Sequence, residues 1–121
     1  MNEITLDLPY PPPLLSPNSH KPWQAKARAV KAYRWDCFVA AAEQRNAVQY
    51  PLKAPVEAHI VFVYVKGVPM DVDNALAAFK AGLDGICDTR LIENDRDISA
   101  WHASVVRGDR KHVSLLLRGS P

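Results

Sequence analysis

The sequence predicts an α+β fold, a two-layer sandwich in which a small mixed sheet carries two helices on one face. Four short segments have the character of strands, among them an alternating apolar and polar run at residues 4–8 and a run at residues 56–65 that is apolar on both faces. Two longer segments repeat apolar residues at spacings of three and four, as amphipathic helices do. They follow the order β-α-β-α-β-β. A chain of 121 residues, 48% of them hydrophobic, is long enough for one domain, residues 1–121, with its own core.

The first half of the chain supplies one strand and one long helix. Residues 4–8 alternate apolar with polar and predict a strand, and the six prolines of residues 9–22 predict an extended loop after it. An alanine-rich helix is expected from residue 22 or 23 to about residue 46. Its buried face is predicted to carry Val30, Tyr33, Cys37 and either Ala40 or Ala41.

The second half supplies a helix and three strands. Val56–Val65 is apolar on both faces and predicts a central strand. A helix is expected to begin near Asp73, with that side chain as N-cap, and Gly85 is expected to weaken its last turn. Strands are predicted at residues 98–107 and 112–118, joined by a polar turn. The second helix is predicted to bury Leu76, Phe79, Leu83 and Ile86.

The composition excludes several classes of protein. Cys37 and Cys87 have no second cysteine near them, which excludes a zinc ribbon and a C-x-x-C redox motif and is typical of reduced, cytoplasmic proteins. The longest apolar run, Ile60–Val65, is far shorter than the ~20 residues that span a bilayer. The acidic Glu3 and Asp7 disfavour a signal peptide. We therefore expect a cytoplasmic protein that does not enter a membrane.

The formal net charge of +2 conceals an uneven distribution. Residues 71–97 carry seven acidic and three basic side chains, a local charge of −4, which leaves +6 for the rest of the chain. An acidic segment within a basic chain suits a metal-dependent enzyme that acts on a polyanion, although a solvated acidic surface gives the same numbers. Only the motifs within residues 71–97 can therefore distinguish the enzyme from the solvated acidic surface.

Two acidic groups flank the second predicted helix. Asp71-Val72-Asp73-Asn74 places two carboxylates on the same side of an extended backbone, and residues 93–97 precede the third strand. If that strand pairs with the second, we expect both groups at the same edge of the sheet. Two carboxylates ~4 Å apart repel by about 4 kcal/mol at an effective dielectric near 20. Mg²⁺ would offset this repulsion and activate a water.

Two other interpretations of this motif are a helix cap and an EF-hand. Asp is a common helix cap, so the same residues fit a cap with solvated acids. An EF-hand is excluded, because counting from Asp71 its required Gly and Glu positions hold Leu76 and Gly82.

A lysine lies on the same side of the second helix as Asp73. Lys80 follows Asp73 by seven residues, or two helical turns, and Asp84 follows one turn later. Lys80 can pair with Asp84, hold the acids apart, or meet the charge that develops on a phosphate.

These residues resemble the RusA family of Holliday-junction resolvases, found mostly in phages and prophages, over nearly the whole chain. The resemblance rests on Asp71-Val72-Asp73-Asn74, Lys80, Asp84-Gly85-Ile86, Leu91-Ile92-Glu93-Asn94-Asp95 and the opening Leu8-Pro9-Tyr10-Pro11-Pro12. It implies a homodimeric, Mg²⁺-dependent endonuclease, with Mn²⁺ as a substitute, that cuts four-way DNA junctions in recombination and repair. Carried over by position, the metal ligands would be Asp71, Asp73 and Asp95. Lys80 would be the catalytic lysine beside them.

The chain departs from the family pattern at two positions. Some members carry the lysine three residues after the asparagine of the motif, where this chain has Ala77, and Lys80 lies one turn further on. The family often has two adjacent aspartates before the third strand, and here the first is Asn94. Asp95 is therefore the stronger candidate ligand, with Glu93 or Asp97 as substitutes.

Basic residues indicate where DNA would bind. Along the first predicted helix and the loop before it, five of them occur without an acid between them, facing either phosphates or only solvent. They are Lys21, Lys26, Arg28, Lys31 and Arg34. The hairpin tip, with Arg107, Arg110 and Lys111, is a second candidate patch.

Most aromatic and histidine side chains are expected to be structural. Trp35 and Trp101 are expected in the core, and only Trp23 is expected near DNA. Three histidines are expected to be ordinary sheet residues, because their spacings fit no common metal site. They are His59, His102 and His112.

The sequence leads to two hypotheses of different class. One is a Mg²⁺-dependent endonuclease that resolves four-way junctions by paired phosphodiester hydrolysis. The other is a non-catalytic nucleic-acid-binding module, whose acidic loops are only caps and solvated turns.

Overall fold

The computed structural model describes residues 2–121 and has the predicted order of elements. Strands and helices alternate as β1 (Glu3–Leu8), α1 (Trp23–Gln44), β2 (Val56–Tyr64), α2 (Val72–Asp88), β3 (Ile98–Arg107) and β4 (His112–Arg118). Short 3₁₀ turns lie at Pro13–Leu15, Arg45–Ala47 and Asp95–Asp97. The α+β class is confirmed, and so are the predicted bounds of the last two strands.

The four strands form one mixed sheet in the order β1-β4-β2-β3. β4 pairs antiparallel with both β1 and β2, whereas β3 pairs parallel with β2. β2 is therefore an interior strand, as its two apolar faces predicted. The parallel pair runs from Val56 opposite Ile98 to Tyr64 opposite Arg107.

Both helices pack on one face of this sheet, and their apolar stripes make the core with it. The buried stripe of α1 is Tyr33, Cys37 and Ala41, which selects Ala41 over Ala40. The prediction for Val30 is wrong, since 42% of this residue is exposed. From the sheet and α2, the largest fully buried side chains are Leu6, Leu8, Val56, Ile60, Phe62, Phe79, Ile86, Val113, Leu115 and Leu117.

Helix α2 has its N-cap two residues earlier than the sequence predicts. Its N-cap position is Asp71, whose backbone is extended and whose carbonyl accepts the Ala75 N–H at 2.8 Å. Asp73, predicted as the cap, instead lies in the first turn, where its charge suits the positive end of the helix dipole. Asp71 makes no side-chain capping bond, so neither carboxylate is used as a hydrogen-bonding cap.

Glycine at position 85 permits the close approach of the two helices. A β-carbon there would lie 3.0 Å from the Phe38 backbone nitrogen and closer still to the Arg34 carbonyl oxygen. The helix nevertheless continues to Asp88, so the predicted weak last turn is stabilised by its packing on α1. The close packing of α1 on α2 thus requires a glycine, whose low helix propensity lowers the intrinsic stability of α2.

The edge strand β1 is covered by the end of α1. The Gln44 side chain accepts the Asp7 N–H at 2.9 Å and donates to the Asp7 carbonyl at 2.9 Å, as a neighbouring strand would. Further along, the Tyr33 hydroxyl donates to the Pro9 carbonyl at 2.7 Å. These bonds satisfy part of an exposed sheet edge and fix the path of the chain after Leu8.

The cysteines are unpaired, as expected. Cys37 is fully buried and Cys87 partly so, and burial raises the pKa of their thiols to about 12 and about 11. Over residues 2–121, neither helix is long and apolar enough to cross a membrane.

Replacing Gly85 with alanine should destabilise the protein by about 1–3 kcal/mol, the usual cost of overpacking, because the new methyl group meets the α1 backbone. Urea unfolding measures the effect. Ala77→Ser, which also adds one heavy atom to α2 but at an exposed position, should change stability by less than about 0.5 kcal/mol. If helix propensity alone decided the outcome, Gly85→Ala would instead be the more stable protein.

Candidate functional site

Lys80 lies between two carboxylates in the middle of α2. Its ammonium donates to Asp84 Oδ1 at 2.9 Å and also to Asp95 Oδ2, in the 3₁₀ turn before β3. Of the roles that the sequence left open, pairing with Asp84 is therefore observed. The ion pair with Asp95, fifteen residues away in the chain, joins α2 to the start of β3.

This ion-pair network shifts the pKa values of Lys80 and Asp95. The hydrogen bond to Asp95, followed by that to Asp84, raises the pKa of Lys80. The hydrogen bond from Lys80 lowers the pKa of Asp95 and outweighs the opposing effect of burial. Lys80 is thus a firmly charged cation and Asp95 a firmly charged anion at neutral pH.

A cleft of about 350 Å³ opens beside this network. Its walls are mainly apolar, and its polar groups are the Lys80 ammonium and the Asp95 carboxylate. Trp101 forms one wall and is partly buried against the core, which agrees with the expected core role. The cleft is lined by Leu76, Phe79, Lys80, Leu83, Asp95 and Trp101.

The other two candidate carboxylates lie at the amino end of the same helix. Asp71 and Asp73 are exposed, and Asp73 shares a side of α2 with Lys80. Seven residues at 1.5 Å each separate the two by about 10 Å along the axis. The helix therefore presents a line of charged groups rather than one compact cluster.

The two acidic loops do not lie at the same edge of the sheet, and the expectation that they would is wrong. Since β2 and β3 are parallel, α2 has to return the chain from the carboxyl end of β2 to the amino end of β3. Asp71 precedes this crossover and Asp95 follows it. Within residues 2–121, Asp71, Asp73 and Asp95 do not form a group whose ligand atoms all lie within 4.8 Å of one another.

The donor chemistry nevertheless suits a hard cation at one end of α2. Asp71 and Asp73 offer exposed carboxylate oxygens, and Mg²⁺ often takes only one or two carboxylates together with waters and substrate phosphate oxygens. Asp95 is held by Lys80 and is not free for a metal in this arrangement. The fit to Mg²⁺ therefore rests on the first two aspartates.

A second cleft, also about 350 Å³, is lined in part by Met70, the residue before Asp71. It combines two tyrosines with two lysines, and the Lys111 ammonium lies 4.9 Å from the centre of the Tyr10 ring. Arg107, on the same hairpin, donates to the Val65 carbonyl at 3.0 Å. The predicted basic hairpin tip is thus next to the loop that leads to the carboxylates. The cleft is lined by Tyr10, Pro13, Tyr64, Val65, Lys66, Val68, Pro69, Met70 and Lys111.

The basic set of α1 divides into free and paired members. Lys21, Arg28 and Lys31 are exposed and Lys26 partly buried, and none of them takes part in an ion pair within the described residues. Arg34 forms a bidentate ion pair with Asp88, in which Nε donates to Oδ2 at 2.7 Å and Nη2 donates to Oδ1 at 2.9 Å. This interaction lowers the pKa of the Asp88 carboxyl. Arg34 therefore fastens α1 to α2.

The expectation that Trp35 belongs to the core is wrong. This side chain is 62% exposed and stacks on Phe38 with ring centres 5.3 Å apart. Two residues along a helix are about 200° around its axis, so Trp35 points away from the buried Tyr33. Trp23 is 73% exposed, so both tryptophans of α1 are accessible.

Sequence reasoning missed a polar group on the uncovered face of the sheet. His59 and His102 lie directly opposite each other on β2 and β3, and both imidazoles approach the Glu57 carboxylate. These three form the one group of His, Cys, Asp or Glu in residues 2–121 with all ligand atoms within 4.8 Å. No spacing rule could reveal it, because the two histidines meet only through strand register.

The fold and these contacts define an α+β protein with a lysine-carboxylate network on one side of its sheet and a histidine-carboxylate group on the other. No protein-family model matches the chain. It is similar to an uncharacterized protein of Xylella fastidiosa (strain Temecula1 / ATCC 700964), with 33% identity over 96 residues. The alignment covers 78% of this chain and 63% of that protein, so the chain spans less than two thirds of its relative's length.

Replacing Lys80 with methionine should raise the pKa of Asp95 toward its ordinary value of about 3.9. The folded-state pKa of Asp95 is depressed, so its stabilising effect is present at neutral pH and is lost as the pH falls through that depressed pKa. Carboxyl-carbon NMR titration measures the change. Asp88, whose pKa is lowered by Arg34, is the internal control and should not move; an unaltered Asp95 titration would refute the network.

Proposed function

We propose that this protein is a Mg²⁺-dependent endonuclease of the RusA type, which acts on four-way DNA junctions in the cytoplasm as a homodimer. The observation that carries the proposal is the contact between Lys80 and Asp95. These are the residues that the resemblance assigns as catalytic lysine and third aspartate, and they come from separate elements. The mixed sheet with two helices on one face would then be the RusA fold.

Basic side chains at the surface would bind the DNA phosphates, and the carboxylates of α2 would serve catalysis. Lys21 in the loop before α1, and Arg28 and Lys31 on α1, offer exposed cations for phosphates. Lys66 and Lys111 line the cleft that includes Met70, the residue before Asp71, so a strand held there would lie near that carboxylate. Phosphate contacts of this kind position DNA without reading its sequence, as recognition of a junction by its shape requires.

Asp71 and Asp73 would hold the magnesium ion. When bound, the ion supplies charge neutralisation and an activated water for phosphodiester hydrolysis. Lys80 is positioned to exchange its carboxylate partner for a phosphate, because an ammonium with three donors can turn from Asp95 to a DNA oxygen. That exchange would also release the Asp95 carboxylate toward the reacting centre.

Paired cuts require two sites, since one site breaks one strand at a time. A homodimer related by a two-fold axis would present two such sites to a four-way junction. The proposal therefore includes self-association of the chain.

The second candidate is a nucleic-acid-binding module without catalysis. It is favoured by the separation of Asp95 from Asp71 and Asp73, and by the use of Asp95 as an ion-pair partner. This candidate binds DNA in a salt-dependent manner and is indifferent to Mg²⁺. A Mg²⁺ titration followed by thermal unfolding distinguishes the two, because a cation that binds the folded state stabilises it, by about 2.7 kcal/mol at 100 times its Kd.

With a synthetic four-way junction and Mg²⁺, the protein should make paired nicks across the junction. Asp71→Asn and Asp95→Asn should each lower the cutting rate by about 100-fold or more, the scale of losing one electrostatic stabiliser of a transition state, while junction binding survives. Glu43→Gln, which removes an exposed carboxylate on α1, should cut as wild type. Absence of nicks across several junction sequences, with Mg²⁺ or Mn²⁺, would overturn the proposal.

Lys31→Gln should weaken junction binding equally on all sequences and reduce the slope of log K against log salt by about 1, the contribution of one phosphate contact. A salt series of electrophoretic mobility shifts measures the slope. Lys53→Gln, an exposed lysine outside both basic patches, is the matched control with an unchanged slope. An identical slope in the two variants would exclude α1 from the DNA interface.

A further inference from the structure

Two histidines meet on the sheet face that the helices leave uncovered. His59 lies between the buried Ala58 and Ile60, so its side chain points to the opposite face. His102 faces the same way because Trp101, its neighbour, packs against the core. The two imidazoles stack nearly parallel, with ring centres 4.3 Å apart and planes inclined by 12°.

A carboxylate from the same strand completes the group. Glu57 precedes His59 by two residues and therefore lies on the same face of β2. Its Oε1 is 3.1 Å from His59 Nε2, and its Oε2 is 3.4 Å from His102 Nε2. Each carboxylate oxygen thus faces one imidazole nitrogen.

These short separations require a proton or a metal ion between the groups. A carboxylate only accepts hydrogen bonds, so each imidazole must either present an aligned Nε2–H to it or share a cation with it. His59 Nε2 is enclosed and has no aligned hydrogen-bond partner in the part of the chain that the structure describes. Protonating both rings would place two like charges in stacked imidazoles, which repel each other. One divalent cation shared by all three side chains satisfies them together.

We propose that Glu57, His59 and His102 bind a first-row transition metal ion of the zinc type on the open face of the sheet. Two imidazole nitrogens and one carboxylate oxygen are a ligand set that suits Zn²⁺, whereas imidazole is a poor ligand for Mg²⁺. The site is therefore chemically distinct from the carboxylates of α2, and it lies on the opposite side of the sheet.

The surroundings of the group support a metal site. Arg118 on β4 donates to Glu57 Oε1 at 3.2 Å and to Glu3 Oε2 at 3.3 Å, so the carboxylate is oriented by an outer partner, as metal ligands commonly are. Three protein ligands leave a tetrahedral ion one position for water or another ligand. Bound there, the ion would cross-link the interior strand β2 to the edge strand β3.

Calorimetric titration of the full chain with Zn²⁺, after treatment with a chelator, tests the proposal. One equivalent should bind, and NMR should show the ring signals of His59 and His102 shifting together while those of His20 and His112 do not. Millimolar Mg²⁺ should leave this binding unchanged. Displacement of the zinc by Mg²⁺, or ring shifts elsewhere than at His59 and His102, would overturn the assignment.

Variants give the second measurement. His59→Gln and His102→Gln should each weaken Zn²⁺ binding by more than about 100-fold, since even partners that only orient a ligand are worth 10–100-fold. His112→Gln is the matched control, because this histidine lies on β4 opposite Val63 and outside the group. Zinc affinity that survives both ligand substitutions would exclude the site.

This inference and the proposed endonuclease fail separately. Zinc binding is measured without DNA and depends on β2 and β3, whereas junction cutting is measured with Mg²⁺ and depends on α2. If the protein binds zinc but does not cut junctions, only the nuclease proposal is refuted. If it cuts junctions but binds no zinc, only the proposed metal site is refuted.

Discussion

The parallel pairing of β2 with β3 is the constraint on which the rest of the structure depends. Parallel neighbours need a crossover between them, so α2 must traverse the sheet, and this traverse separates the acidic loops at its two ends. The same pairing brings Asp95, just before β3, against Lys80 in the middle of the helix. On the other face it aligns His59 with His102. The contact between Lys80 and Asp95 and the contact between His59 and His102 therefore both result from the pairing of β2 with β3.

The contact between α1 and α2 holds this crossover in place. Gly85 lets the backbones approach, and the Arg34–Asp88 ion pair joins the middle of α1 to the carboxyl end of α2 at the surface. An exposed pair of this kind contributes little stability, typically below about 1 kcal/mol, so the buried apolar contacts carry most of the energy. The surface of α1 is then free to present its remaining cations and its two exposed tryptophans.

The two polar groups have different electrostatic character, which sets the chemistry that each suits. On the helix side, a lysine already compensates Asp84 and Asp95, and hard carboxylate oxygens at Asp71 and Asp73 favour a magnesium-type ion with phosphate ligands. On the open sheet face, imidazole nitrogens favour a softer ion. The −4 charge of residues 71–97 belongs only to the first group. The histidine group contributes nothing to that count, which is why composition pointed to one side of the molecule alone.

The sequence by itself determined the element order, the interior place of β2 and most of the core, because hydrophobic periodicity depends only on local geometry. It also identified Lys80 with Asp84, since a helix brings residues four apart together. Only the tertiary structure decided that Asp95 joins that pair and that Trp35 is exposed. It also decided that one acidic loop follows the carboxyl end of β2 while the other precedes the amino end of β3. Those facts depend on which strand pairs with which and in what direction. The meeting of His59 with His102 has the same origin, because strand register joins residues that no local pattern links.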